Sequence, residues 1–471
     1  MQYLKFTGMS LLLISLASGC TKVPPADDLR VSSIVKDRIG NTVHWNELHK
    51  DNLVTDAVSF LVKQELTVDS AVEIALLNNP KIQATFEELG IAQADLVQAG
   101  LFQNPIFDGF IRFSNQRSVH VNTEFSVVQN FLDIFLIPLR KRVAAAEFEQ
   151  AELRVASVIL DLSFEVRETY YSLVTEQKKL QLTRTLIDAS DAASLLAKEQ
   201  RRLGNINDLE LQSRMNDYLE TTLELSRTEI EIVRLREKMN TLLGFSADTS
   251  HLKITTELPS PPSDVDLKTL ETIALSKRLD LEIARWELER IARLGATKRW
   301  WSYTDASIGI SNENDPEGNH VTGPTFNTKI PIFNYGQADR ARLLALYRKS
   351  KEQLKALEIQ VTSDVRQAQK QLQLSRNLVA TYQEKLLPLQ AQIVSMSQKF
   401  YNVMGVSVFK LLQAKKQEIQ TQINHTQTLC SYWVTSVKLD RALGGKLYLA
   451  TSAVQATPST QALCQKSEVL P

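Results

Sequence analysis

The sequence predicts a mainly α-helical protein with a small β part: long antiparallel helical hairpins and four short amphipathic strands, laid out as two internal repeats. Three observations carry this prediction. Two pairs of segments match at nearly the same separation. Apolar residues recur at steps of three and four over very long stretches, and between those stretches the period drops to two.

In chain order, the first element is a targeting segment. Met1 to Gly19 carries one basic residue, Lys5, then an apolar run from Leu11 to Ala17 and two small residues. That is the layout of a secretory signal peptide, too short and wrongly flanked for a membrane span. Cys20 follows Ala17-Ser18-Gly19 directly and resembles the bacterial lipobox cysteine, which is acylated and becomes the mature N-terminus. The rival reading is an ordinary signal with an incidental Cys. Residues 20–62 then form a lipid-anchored N-terminal segment.

LTVDSAVEIALLNNPKI (66–82) aligns with VDLKTLETIALSKRLDL (265–281), sharing Ile-Ala-Leu and an apolar residue at Ile82 and Leu281. RLGNINDLELQ (202–212) aligns with VMGVSVFKLLQ (403–413) through Gly204, Leu211, Gln212 and Gly405, Leu412, Gln413. Each half is about 200 residues long, which marks two copies of one module rather than a solenoid of small units. The modules span 63–253 and 254–443, and 444–471 forms a disordered tail rich in Ala, Ser, Thr and Gln.

Within the second half, apolar residues run from Leu343, Tyr347, Leu354, Leu357, Val361 and Val365 on to Met396 and Phe400 at helical spacing. Some 60 residues of helix would reach about 90 Å, beyond any globular core. Pro388 interrupts the stripe and removes a backbone donor, so a kink or local unwinding is expected there. The matching run in the first half spans about Leu139 to Leu203. Second helices follow at Asp208 to Leu243 and Val408 to Leu443. A glycine at each turn supplies the backbone freedom of an αα-hairpin.

The strands come next. Val119, Val121, Thr123, Phe125 and Val127 interleave with His120, Asn122, Glu124 and Ser126. Ala306, Ile308 and Ile310 alternate with Ser307, Gly309 and Ser311. Ile106 to Ser114 and Thr325 to Ile332 are less regular. These make two hairpins, with tips near Asn115–Arg117 and Asn314–His320. Strands of about ten residues, tilted, cross an outer-membrane hydrocarbon layer with alternate faces toward lipid and lumen. The alternative is a soluble hairpin packed on helices. Four strands cannot close a barrel, so strands that span require several chains to share one.

Composition excludes other classes. Lys+Arg and Asp+Glu balance at 54 each, so no overall field draws the chain to nucleic acid. Cys430 and Cys464 are the only other thiols and make no disulfide framework. The six histidines are scattered, no Gly-rich phosphate loop or Gly-x-Ser-x-Gly occurs, and no metal or cofactor site is expected. An enzyme is therefore not expected.

IPIFNYGQADRARLLA (330–345) resembles the Pro-apolar-Phe-x-x-Gly turn of the outer-membrane efflux protein family, the TolC family. EIALLNNPKIQA (73–84), the Leu-Leu-Pro of 386–388 and the paired tip glycines support it, over about residues 60 to 443. Leu279 departs from the family's usual Pro, and QNFLDIFLIPLRKR (129–142) is longer than its counterpart. The resemblance implies a homotrimer whose twelve shared strands form an outer-membrane barrel above a periplasmic tunnel of long helices. It implies docking on a periplasmic adaptor and an inner-membrane pump, passive export, and no cofactor. The docking surface would be the helix tips: Arg202, Leu203, Gly204, Asn205 and Ile206, with Val403, Met404, Gly405, Val406 and Ser407. The segment from Gln129 further resembles the heavy-metal branch. A drug-efflux or secretion channel and a periplasmic coiled-coil scaffold are the alternatives.

Overall fold

The computed structural model describes residues 23–43, 45, 52–113, 115, 120–246, 253–262, 269–297 and 306–447. The signal segment, Cys20, Cys464 and the tail beyond Leu447 lie outside them. The elements are α1 (Leu29–Ile39), α2 (Asn52–Lys63), α3 (Val68–Asn78), α4 (Pro80–Ala99), β1 (Ile106–Arg112), β2 (Asn122–Asn130), α5 (Asp133–Arg202) and α6 (Asp208–Leu243). There follow α7 (Leu270–Lys277), α8 (Leu279–Thr297), β3 (Ala306–Asn314), β4 (His320–Thr328), α9 (Gln337–Thr381), a π-helical turn (Tyr382–Leu386), α10 (Leu387–Asn402) and α11 (Val408–Leu443). The chain divides into two compact units. One holds Phe86–Leu153 and Ile283–Leu354, the other Leu29–Thr85, Arg154–Glu282 and the chain from Lys355.

The first unit contains one antiparallel sheet in the order β1-β2-β3-β4. Its register divides the side chains between two faces. Phe107, Val127, Ile310 and Pro324 are successive partners across the sheet, as are Gly109, Phe125, Asn312 and Thr322. With Ile308 and Phe326 they form a mostly apolar face. The opposite face carries Asp108, Arg112, Asn122, Glu124, Ser126, Ser311 and Glu313, together with Ile106, Phe110, Val128 and Val321. Gly109 makes room for the Phe125 ring, which stands 3.2 Å from where a Cβ would lie and stacks on Phe107 at 6.0 Å.

Two strands differ from expectation. The strand expected from Val119 starts at Asn122, and the one expected at 325–332 runs from His320 to Thr328. The β3–β4 turn sets the second. The Asp315 carboxylate accepts hydrogen bonds from the amides of Glu317 and Asn319, at 3.0 and 2.8 Å, and pairing starts immediately beyond. Hydrogen bonds from Asn319 hold the Asp315 carboxyl below its ordinary range.

In the second unit, α6 and α11 are 36-residue helices, each about 54 Å long. Both match the sequence reading residue for residue. Each ends in a left-handed glycine, Gly244 (φ 77°) and Gly444 (φ 76°), and each glycine packs against a junction between two shorter helices. A Cβ on Gly244 would stand 2.4 Å from the Asn78 carbonyl oxygen, and one on Gly444 3.0 Å from that of Lys277. Asn78 and Asn79 also donate to the orphan carbonyls of Leu243 and Leu242, both at 2.8 Å. These junctions belong to the paired 66–82 and 265–281 segments.

The core of this unit is built from Phe164, Val166, Leu173, Val174, Tyr432 and Val437, all essentially shut from water. Each large side chain there contributes about 1.5–3 kcal/mol of burial. The long second-half helix loosens where Pro388 requires it. The Leu387 amide reaches back to the Tyr382 carbonyl, and the wider turn accommodates the proline ring and its missing donor.

Candidate functional site

The predicted tip residues lie in two turns of matching backbone design. At the first, α5 ends at Arg202. The amides of Gly204 and Asn205 fold back onto the carbonyls of Arg201 (3.0 Å) and Gln200 (2.8 Å). At the second, the amides of Met404 and Gly405 do the same to Tyr401 (2.9 Å) and Phe400 (2.8 Å). Asn207 and Ser407 then cap α6 and α11, their side chains accepting from the amides of Glu210 and Lys410. Asn and Ser suit these positions because a short side-chain oxygen satisfies an orphan amide of the first turn.

One expectation needs correcting. The left-handed residue of the first tip is Gly204 (φ 78°), but at the second it is Met404 (φ 60°) and not Gly405. In space Met404 stands where Gly204 stands, and Gly405 matches Asn205. A side chain in this conformation costs roughly 1–2 kcal/mol. Met404 is also 95% exposed, so neither packing nor backbone preference accounts for it. Leu203, Leu209 and Val403 are exposed beside the turns, and Ile206 and Val406 are half-buried.

Behind the tips, contacts link the two hairpins. Lys416 of α11 pairs with Asp217 of α6 at 2.9 Å. The Arg214 guanidinium lies 5.0 Å from the Phe409 ring centroid, and Leu186, Ile419 and Ile423 cluster nearby. Nothing in the separate alternations of the two helices pointed to Arg214 or Lys416. Nearer the roots, Arg441–Asp161 (2.7 Å) and Arg278–Asp280 (2.6 Å) line a cavity of about 470 Å³. Arg278 and Asp280 flank Leu279, the position where the resembled family usually has Pro. Leu279 is buried and starts α8 as a proline would.

The sheet is the other candidate surface. On the central strands β2 and β3, the polar face is the sheltered one, while Phe125, Val127, Ile308 and Ile310 are exposed. A sheet folded for water does the reverse. Among the described residues, both edges, β1 and β4, lack a partner strand. Among the described residues, no group of three or more His, Cys, Asp and Glu is placed to hold a metal, and no helix is long and apolar enough to cross a membrane. Cys430 is a free thiol.

No protein-family model matches the chain. The fold nevertheless has close counterparts. The crystal structure of the Campylobacter jejuni CmeC outer-membrane channel superposes with a TM-score of 0.68, covering 92% of this chain and 96% of that one at 14% identity. The CusC structure gives 0.65, covering 81% and 92% at 16% identity. The fold is that of the outer-membrane efflux channels. In sequence, the channel fold here is 23% identical over 390 residues to the cobalt-zinc-cadmium resistance protein CzcC of Cupriavidus metallidurans, covering 80% of this chain and 90% of that protein.

Proposed function

We propose that the chain is the outer-membrane exit duct of a tripartite efflux system, a passive conduit from periplasm to exterior for small solutes, heavy-metal ions foremost. The observation that carries this reading is the sheet: on its central strands the apolar face is the exposed one, and neither edge has a partner strand among the described residues. Free edges are not tolerated in hydrocarbon, and four strands fall short of the eight of the smallest membrane barrels. Three copies sharing one barrel remove every edge.

The helical stripe supports the same assembly. It is buried at Val361, Val365, Ala368, Leu372 and Val379 but bare at Leu389, Ile393, Met396 and Phe400, where a neighbouring copy would cover it. The two halves, 63–253 and 254–443, are read as two copies of one module. The matched seats of Gly244 and Gly444 support this. The helices form the periplasmic part, and the tips Arg202–Ile206 and Val403–Ser407 dock on an adaptor that links them to an inner-membrane pump. Cys20 carries the lipid anchor. The metal cargo rests on CzcC, whose name specifies cobalt, zinc and cadmium resistance.

Single cysteines at Asn115 and Asn319, in a background lacking Cys430 and Cys464, should react with an impermeant maleimide on intact cells. Reaction only after the outer membrane is permeabilised would point instead to a periplasmic scaffold. A deletion strain should lose tolerance to cobalt, zinc or cadmium. Unchanged metal tolerance with new sensitivity to dyes or detergents would reassign the cargo and leave the duct standing.

A further inference from the structure

The polar face of the sheet holds a cluster that alternation along single strands does not reveal. Glu124 of β2 and Glu313 of β3 are direct cross-strand partners. Like charges placed directly opposite repel, so the pair is unfavourable unless something positive sits near it. Arg112 reaches only one of the two carboxylates, Glu124, at 3.3 Å, and its guanidinium lies over the Phe110 ring. Glu313 accepts only an amide hydrogen bond, from Asn122 Nδ2 at 2.8 Å. Asn122 is itself 9% exposed, and its Oδ1 is closed off without a donor. A buried carbonyl oxygen left unpaired is costly. Among the described residues, two carboxylates thus stand opposite each other with one cation on them, and the buried amide that donates to Glu313 leaves its own oxygen unpaired.

We propose that Glu124, Glu313 and Asn122 form a cation-recognising site on the pore face of the barrel, repeated once per chain to make a ring near its outer mouth. The inference rests on the reading of the chain as a three-chain conduit, which turns the polar face inward. The cluster lies at the end of the β2–β3 ladder beside the Asn314–His320 turn, the end assigned to the exterior. An oxygen-only set without His or Cys suits hard cations and not a resident transition metal, and so small a set leaves most of the ion's coordination to water, which keeps it exchanging. Such a ring would favour outward passage of cations and disfavour anions at the last step of the path. Asp108, on the same face of β1, adds to the field.

The test uses the full-length protein reconstituted in planar phosphatidylcholine bilayers under a KCl gradient. Wild type should be cation-selective, and E124Q/E313Q should lower the potassium-to-chloride permeability ratio by about threefold or more. Cobalt added on the hairpin side should reduce wild-type conductance and leave E124Q/E313Q unaffected, a readout that a diffuse charge effect would not produce. Conductance with an unchanged ratio and unchanged cobalt block in the double variant would overturn the site while leaving the conduit intact. Absence of any wild-type conductance would overturn the conduit reading, and the ring with it.

Discussion

Arg167 and Asp440 meet at 2.6 Å with side chains only 11% and 7% exposed, joining α5 of the first hairpin to the root of α11 in the second. Burial pushes the Asp440 carboxyl up, and Arg167 and the Leu447 amide pull against that shift. The Leu447 amide donates to the same carboxylate at 3.0 Å, so the pair also fastens the chain leaving α11. Removing one partner of such a pair leaves a buried charge without compensation.

Asp440→Ala should therefore cost about 3–5 kcal/mol, read as a lowered thermal midpoint of the purified protein. The double variant Arg167→Met/Asp440→Leu should recover much of that loss, because no unpaired charge remains. A double variant as unstable as Asp440→Ala would mean that the carboxylate matters mainly through the Leu447 amide.

The two root glycines should respond unequally to alanine. Both variants incur the left-handed penalty of roughly 1–2 kcal/mol. At Gly244 the new Cβ would also stand 2.4 Å from a carbonyl oxygen, against 3.0 Å at Gly444. Gly244→Ala is expected to be the more destabilising in a side-by-side melt, and the reverse order would show that the α3–α4 junction yields easily.

Legibility followed local punctuation. The ends of α6 and α11 were readable because Asn207, Ser407, Gly244 and Gly444 are residues that caps demand. Pro388 announced the loosened turn before it. β4 was displaced because it contains Gly323 and Pro324, which sequence patterns count against a strand. Within the single chain β4 is an edge strand, where both residues are tolerated. The left-handed backbone at Met404 was missed because Gly405, one residue on, matched Gly204 in sequence. The Glu124–Glu313 pair was invisible because it depends on the register between strands far apart in the chain.

Cys20 is expected to carry lipid. Metabolic labelling with a fatty acid should mark the wild type and not Cys20→Ser, and Thr21 in place of Asp directs the labelled protein to the outer membrane. Equal labelling of both would leave an ordinary signal peptide.

His425 is expected to make stability pH-dependent. Its Nε2 is closed off without a partner, its ring lies 6.1 Å from that of Tyr382 in the π-helical turn, and burial lowers its pKa. The folded chain therefore holds the neutral ring when the unfolded chain, titrating near about 6.5, already binds a proton. Stability should fall as pH drops through that unfolded value, and the loss should stop growing below the folded value. Between about pH 7.5 and 5.5 the wild-type midpoint should decline more steeply than that of His425→Gln. Parallel slopes would assign the dependence to other groups.

Met404 offers the sharpest division between stability and function. Glycine at this position removes the left-handed penalty, so Met404→Gly should raise stability by about 1 kcal/mol. The same change deletes the most exposed apolar side chain of the tip. If the tips dock the adaptor, Met404→Gly should melt no lower than wild type yet lose adaptor crosslinking and metal tolerance. Gly405→Trp, one residue on, should block docking by bulk while the proposed trimer survives. Full export by both variants would remove the second tip from the interface, and the strained backbone at Met404 would then have no docking role.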